Sequence, residues 1–132
     1  MSVAVQWDND EKTVIQLIFD GRWQWDDVRI AVGQVNQMID SVEHPAVHVI
    51  SNRGAAHWTP GNYAKNVREI IDLWHPRAGY RVSVVRNPVA REMFYIFSGM
   101  VGGVTFNYRF VDTLEEAREF LARHVLGRSY DD

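Results

Sequence analysis

The chain has 132 residues and a net charge of -3, and it contains no cysteine. This length predicts one domain over residues 1–132 with a single hydrophobic core, and the lack of cysteine excludes thiol catalysis, iron–sulfur ligation and cysteine-based zinc sites. The arginines are spaced singly with acids between them, which argues against nucleic acid as a partner because binders of phosphate backbones usually carry a basic stripe.

The first part of the chain predicts a β-hairpin, a helix and a buried strand. Residues 3–7 alternate apolar with small or polar side chains, residues 13–19 are rich in β-formers, and residues 8–11 between them favour a turn. Asp26 is placed to cap a helix whose apolar residues recur at helical spacing. The β-branched run 46–50 predicts a strand that is covered on both faces.

The rest of the chain predicts three more helices, and a cap signal marks the start of each. Thr59 with Pro60, and later Asn87 with Pro88, combine a capping residue with a first-turn proline. The last helix starts with a capping box, Thr-Leu-Glu-Glu. The predicted elements are a helix over 60–74, a strand over 79–86, a helix over 88–100, a strand over 105–111 and a helix over 114–125.

The resulting order, ββαβαβαβα, predicts an α/β fold. Helices between successive strands imply parallel pairing, so we expect a five-stranded, mostly parallel sheet with an antiparallel first strand and four helices. The loops after the second, third and fourth strands then leave the same edge of the sheet. Ligands and partners usually meet an open α/β sheet at that edge.

Cations and aromatic residues gather in those loops, next to three helix N-termini that favour anions. This pattern predicts a ligand-binding or partner-binding edge. In the alternative interpretation, these arginines are ordinary loop residues that Asp20, Asp26 and Asp27 neutralise. The candidate residues are Arg22, Trp23, Trp25, Asn52, Arg53, His57, Trp58, Thr59 and Arg86.

The predicted helix over 88–100 has an unusually wide apolar face. Consecutive aromatic and aliphatic residues cover nearly the whole circumference of a helix, so some of them must leave its main apolar face. They either pack under other parts of the same domain or form a subunit interface or the wall of an apolar pocket. The candidates for the interface or pocket are Phe94, Tyr95, Phe97 and Met100.

Two stretches, 80–85 and 106–121, together with the element order, resemble the SpoIIAA-like, STAS-related domain family. The first is a strand with a leading basic residue, and the second joins a closing strand, a glutamate-glutamate-alanine turn and a leucine-ended helix. The resemblance implies a non-enzymatic domain that binds another protein, or its own copy, through the loop after the third strand and the helix behind it. Anti-sigma-factor antagonists of this family carry a phosphorylatable serine and a glycine there. This chain has Thr59, Pro60 and Gly61 instead, so we do not expect that switch.

Two functions therefore remain open. The first is a regulatory or scaffolding module that resembles SpoIIAA-like domains, binds a protein partner and forms a homodimer. The second is a carrier or sensor of a small amphipathic or anionic ligand, similar to a lipid or a nucleotide. Neither function needs a cofactor.

An enzyme is the least expected function. No nucleophile-elbow motif holds a serine near His57, and the five histidines lack metal-binding spacings. Residues 1–6 carry no signal-peptide pattern, and no apolar run approaches the roughly 18 residues of a membrane span. We therefore expect a cytoplasmic protein without a membrane span.

Overall fold

The computed structural model describes residues 2–53, 60–86, 92 and 108–124. The predicted helix over 88–100 lies almost entirely outside these residues, so three of the four predicted helices are described. The described elements are β1 (Val3–Trp7), β2 (Val14–Phe19), α1 (Trp25–Asp40), β3 (Val47–Asn52), α2 (Tyr63–Ile71), β4 (Ala78–Val84), β5 (Tyr108–Val111) and α3 (Leu114–His124).

The described strands form a five-stranded mixed sheet in the order β1-β2-β3-β4-β5. β1 pairs with β2 in antiparallel fashion, and every other neighbouring pair is parallel. The predicted α/β fold with an antiparallel first strand is thereby confirmed. The carboxyl ends of β2, β3 and β4 lie at one edge of the sheet, as parallel pairing requires.

Helices cover both faces of the sheet, and each face has its own hydrophobic core. On the α1/α2 face, α1 and α2 pack against Ile15, Leu17 and Val49. On the α3 face, α3 packs against Ile50 and neighbouring residues of β2 and β4. Successive residues of a strand point to opposite faces, so Val49 and Ile50 enter different cores. Because both faces of β3 are buried, residues 46–50 form a nearly uninterrupted apolar run.

The first helix starts earlier than its sequence predicts. Gln24, and not Asp26, is the N-cap residue of α1. The backbone N–H of Gln24 donates to Oδ2 of Asp27 at 2.8 Å. Asp27 is the third residue of α1, and its side chain folds back to the N-cap residue. Such a reciprocal cap satisfies one of the N–H groups that a helix start leaves without an intrahelical partner.

The predicted start of the second helix at Pro60 is wrong. α2 begins at Tyr63, because Asn62 adopts a left-handed backbone with φ of 58°, which asparagine tolerates better than most residues. The backbone N–H and the side-chain amide of Asn66 both donate to the carbonyl of Asn62, at 3.1 and 2.8 Å. The helix ends at Ile71, so Trp74 lies beyond it.

The cap of the last helix agrees with its sequence signature. Oγ1 of Thr113 accepts the backbone N–H of Glu116 at 3.1 Å, and the Glu116 carboxylate accepts the backbone N–H of Asp112 at 3.4 Å. These contacts fix the turn between β5 and α3. No helix within the described part of the chain is both long and apolar enough to cross a membrane.

Candidate ligand-binding cavity

A cavity of about 110 Å³ lies between α2 and the α1/α2 face of the sheet. Three aliphatic side chains of α2, namely Val67, Ile70 and Ile71, line it from the helix side. Most of the remaining lining is aromatic, so the cavity suits a molecule with an apolar, flat body. The aromatic residues that line it are Phe19, Trp23, Trp25, Tyr63, Trp74, Tyr108 and Phe110.

The floor of the cavity is a row of residues that pair across four strands. Leu17 lies opposite Ser51, Ser51 lies opposite Ser83, and Ser83 lies opposite Phe110. All four residues line the cavity. Buried parallel strands usually carry large aliphatic residues at such central positions. The two serines instead leave space beneath α2 and place two hydroxyl groups, each a donor and an acceptor, on the floor.

Arg53 brings a positive charge to this cavity. Its backbone N–H donates to the carbonyl of Val84 at 3.3 Å, which extends the pairing of β3 with β4 beyond the strand. Its guanidinium carbon lies over the Trp23 ring, 5.5 Å from the ring centroid, within the range of a cation–π interaction. Burial lowers the pKa of Arg53, although an arginine remains protonated near neutral pH. Among the described lining residues, Arg53 is the one with a formal charge.

Edge-to-face aromatic contacts build the wall beside Arg53. The ring centroids of Phe19 and Trp23 lie 5.0 Å apart, those of Trp23 and Trp25 also 5.0 Å, and those of Trp25 and Tyr63 5.8 Å. The indole N–H of Trp25 donates to the carbonyl of Gly61 at 2.7 Å. This hydrogen bond ties the start of α1 to the residues that precede α2, so the wall is held from both sides.

A second arginine stands beside the cavity and supports its aromatic rings. The guanidinium carbon of Arg81 lies 4.7 Å from the Tyr108 ring centroid and 5.7 Å from that of Trp74. Burial raises the pKa of Tyr108, which Arg81 and a hydrogen bond with Trp74 partly oppose. Burial likewise raises the pKa of Tyr63, which Arg53 partly opposes. Both phenols are therefore neutral near pH 7.

The structure brings only some of the candidate edge residues together. Trp25 and Arg53 line the cavity, as does Trp23. Arg22 and Arg86 are exposed and do not line it, and Nε of Arg86 donates to the carbonyl of Asp112 at 3.3 Å. The other candidates lie outside the described residues: His57, Trp58, Thr59, Phe94, Tyr95, Phe97 and Met100.

Asn52 lies on the α3 face, away from Arg53. Its side-chain amide donates to Oε1 of Gln16 at 3.0 Å, and the amide of Gln16 donates to Oδ1 of Asp8 at 2.8 Å. Asp8 in turn accepts two hydrogen bonds from Arg118 of α3, at 2.7 and 3.0 Å. Asn52 therefore belongs to a polar network behind the sheet rather than to the cavity.

Among the cavity residues that were absent from the sequence-based candidates are Tyr63, Ser83 and Tyr108. The candidates came from loops, whereas these three lie on α2, β4 and β5. The available signal was the serine within each of the two central strands, where a parallel sheet favours aliphatic residues. Ser51 lies opposite Ser83 because of the register between β3 and β4. The sequence alone does not supply that register.

In the described ranges, no group of three or more histidine, cysteine, aspartate or glutamate residues is placed to hold a metal ion. Comparisons of the chain with protein-family models, curated proteins and solved structures find no match. The resemblance to SpoIIAA-like domains therefore stays a prediction. The function has to be inferred from the cavity itself.

Proposed function

We propose that this protein binds a small amphipathic molecule in the cavity beneath α2 and serves as its carrier or sensor. The supporting observation is the composition of the described lining: aromatic walls, one arginine and two serines. Binding sites for small molecules typically combine a mostly apolar surface with a few polar groups that fix orientation. The proposal involves recognition without a chemical step.

The size of the cavity gives a physical reason for binding. The cavity of about 110 Å³ leaves the atoms of its lining without protein contacts on one side. A molecule that fits against the aromatic rings supplies dispersion contacts on that side. The aromatic wall is already ordered by edge-to-face contacts, so binding requires little rearrangement.

The proposal is tested by titrating the ¹⁵N-labelled protein with benzyl alcohol, a neutral molecule with one aromatic ring and one hydroxyl group. The signals to follow are the indole N–H resonances of Trp23, Trp25 and Trp74, which line the cavity. Trp7 belongs to the same hydrophobic core without lining the cavity, so its indole signal is an internal control. We expect saturable shifts at the three cavity tryptophans and little change at Trp7.

A pair of variants at one position checks that the molecule enters the cavity. Ser83→Leu fills the floor and is expected to abolish the shifts. Ser83→Ala removes the hydroxyl group but keeps the space, so it is expected to retain them. Equal binding by the Leu and Ala variants, or no saturable shift in the wild type, would contradict the proposed function.

The protein-interaction module, the homodimer and the cytoplasmic location remain predictions from the sequence. Of the described large hydrophobic residues, Ile30 and Leu73 are the exposed ones. They do not specify a partner. The cavity gives the small-molecule proposal a defined site, which is why we favour it.

A further inference from the structure

Resting on the proposed function, we infer that the cavity is built for a planar aromatic monocarboxylate, with the ring against the Trp23, Trp25 and Tyr63 wall and the carboxylate on Arg53. This assigns a ligand class to the site. The same apolar lining alone would also suit a neutral ring, an aromatic amine, an aryl phosphate or an alkyl chain.

The charge of the lining selects an anion over a cation. Arg53 contributes a positive charge, and no aspartate or glutamate is among the described residues of the lining. In such a partly buried site, a charge acts through a lower effective dielectric constant than in water. A bound ammonium group would therefore be repelled by Arg53, whereas a carboxylate would be attracted. The aromatic cage thus differs from those that bind quaternary ammonium groups, because an arginine already occupies the Trp23 face.

The geometry of Arg53 suits a carboxylate. Its guanidinium carbon lies over the Trp23 ring, 5.5 Å from the ring centroid, and the N–H groups of a guanidinium donate within its plane. The same group can therefore stack on an indole and hold a carboxylate through two parallel hydrogen bonds. Tyr63 also lines the cavity, and its phenol is a further hydrogen-bond donor.

The number of arginines at the cavity favours a ligand with a single negative charge. Arg81 also lies on this side of the sheet, but it is not among the described residues of the lining. It stacks on Tyr108 and Trp74 and donates to the carbonyl of Ala78 at 3.3 Å. The single arginine among the described lining residues matches a monoanion better than a phosphate dianion.

The size of the cavity selects a ring over a long chain. Its volume of about 110 Å³ is on the order of that of an engineered protein cavity that binds benzene, about 150 Å³. Edge-to-face rings offer flat surfaces at which another aromatic ring can stack or meet an edge. A single ring therefore fits the walls, and an acyl chain would extend beyond them.

The inference is tested by comparing four probes that share one ring: benzoate, benzyl alcohol, benzylammonium and phenyl phosphate. Each is titrated at pH 7 against the wild type, Arg53→Met and Arg22→Met, with the cavity indole N–H signals as the readout. Arg22→Met is the matched control because Arg22 is an exposed arginine that does not line the cavity. We expect benzoate to bind the wild type with a Kd about tenfold below that of benzyl alcohol, and benzylammonium to bind most weakly.

The variants separate charge recognition from ring recognition. Arg53→Met is expected to bring the Kd of benzoate to within about twofold of that of benzyl alcohol, whereas Arg22→Met keeps the preference. If benzyl alcohol binds the wild type as tightly as benzoate, the inference is overturned while the proposed function stands. Tighter binding of phenyl phosphate or benzylammonium than of benzoate would also overturn it. If no probe shifts the indole signals, the proposed function fails and the inference fails with it.

Discussion

Arg118 of α3 holds the Asp8 carboxylate, just after β1, with hydrogen bonds of 2.7 and 3.0 Å across 110 positions of sequence. The Asp8 side chain is 5% exposed, and Gln16 donates to the same carboxylate at 2.8 Å. This bidentate contact connects the last helix to the hairpin at the start of the chain. It holds α3 on the face of the sheet opposite to the cavity.

We therefore expect Arg118→Met to lower the free energy of unfolding by about 1–3 kcal/mol, because it leaves a buried carboxylate with fewer donors. Urea denaturation measures the change. Arg123→Met is the control, since Arg123 pairs with Glu119 at 3.8 Å on the exposed surface of the same helix and such pairs contribute little. Similar losses in the two variants would contradict the assigned role of Asp8.

Arg77 is predicted to stabilise the end of α1. Its guanidinium donates to the carbonyls of Ile39, Val42 and His44 at 2.9, 3.1 and 2.6 Å. The carbonyl of Ile39 belongs to the last turn of α1, where carbonyls have no intrahelical partner, and the fork of the arginine also reaches the two carbonyls that follow the helix. Arg77→Met should lower the free energy of unfolding by about 1–3 kcal/mol. Arg68→Met, at an exposed residue of α2, should change the free energy of unfolding by less than about 0.5 kcal/mol.

His48 predicts a loss of stability in mildly acidic solution. It is buried, its Nδ1 accepts the backbone N–H of Tyr80 at 2.9 Å, and burial lowers its pKa below the usual 6.5. Below pH 6.5, His48 therefore becomes protonated in the unfolded chain but stays neutral in the folded protein until the pH reaches its lowered pKa. The free energy of unfolding should fall from pH 6.5 down to the lowered native pKa and then level off.

Urea titrations between pH 8 and pH 5 measure this contribution. His48→Asn, whose Oδ1 can accept the Tyr80 N–H, should be less sensitive to pH than the wild type. His44→Gln should retain the wild-type dependence, because His44 contacts the carbonyl of Glu11 at 2.9 Å outside the sheet. The same pH dependence in His48→Asn and the wild type would show that His48 does not cause it.

Substitution by alanine is predicted to change the free energy of unfolding in opposite directions at two glycines. A Cβ on Gly79 would collide with the ring of His48, whereas a Cβ on Gly33, in the exposed part of α1, would meet no atom within 4 Å. Gly79→Ala should lower the free energy of unfolding by about 1–3 kcal/mol through overpacking. Gly33→Ala should raise it by about 0.5–1 kcal/mol, because glycine is a poor helix former. Thermal denaturation of both variants decides whether the signs differ.

The sequence predicted the elements that have regular patterns. Alternation revealed β1, a β-branched run revealed β3, and Thr113 with Glu116 marked the start of α3. The start of α2 could not be predicted in the same way. Pro60 is a strong first-turn signal, but the left-handed backbone of Asn62 delays the helix to Tyr63. Trp25, which is distant in sequence, holds the carbonyl of the neighbouring Gly61, and the sequence does not reveal that contact.

The cavity was predictable only in part. Arg53 was a candidate because it follows a central strand. Trp25 was a candidate because the sequence placed it in the loop after the second strand. Asn52 was grouped with Arg53, although alternation places them on opposite faces of the sheet. Both faces of β3 are buried, so its sequence carries no polar stripe to show which face holds the site. The contribution of Ser83 depends on the pairing of β3 with β4.

The most direct test of ligand binding beneath α2 is an NMR measurement of intermolecular nuclear Overhauser effects (NOEs) between benzoate ring protons and the protein. Cross-peaks to the side chains of Trp23, Trp25 and Tyr63 are expected, because these rings form the wall beside Arg53. Cross-peaks confined to exposed side chains such as those of Ile30 and Leu73 would place the molecule on the surface and contradict the proposed binding site.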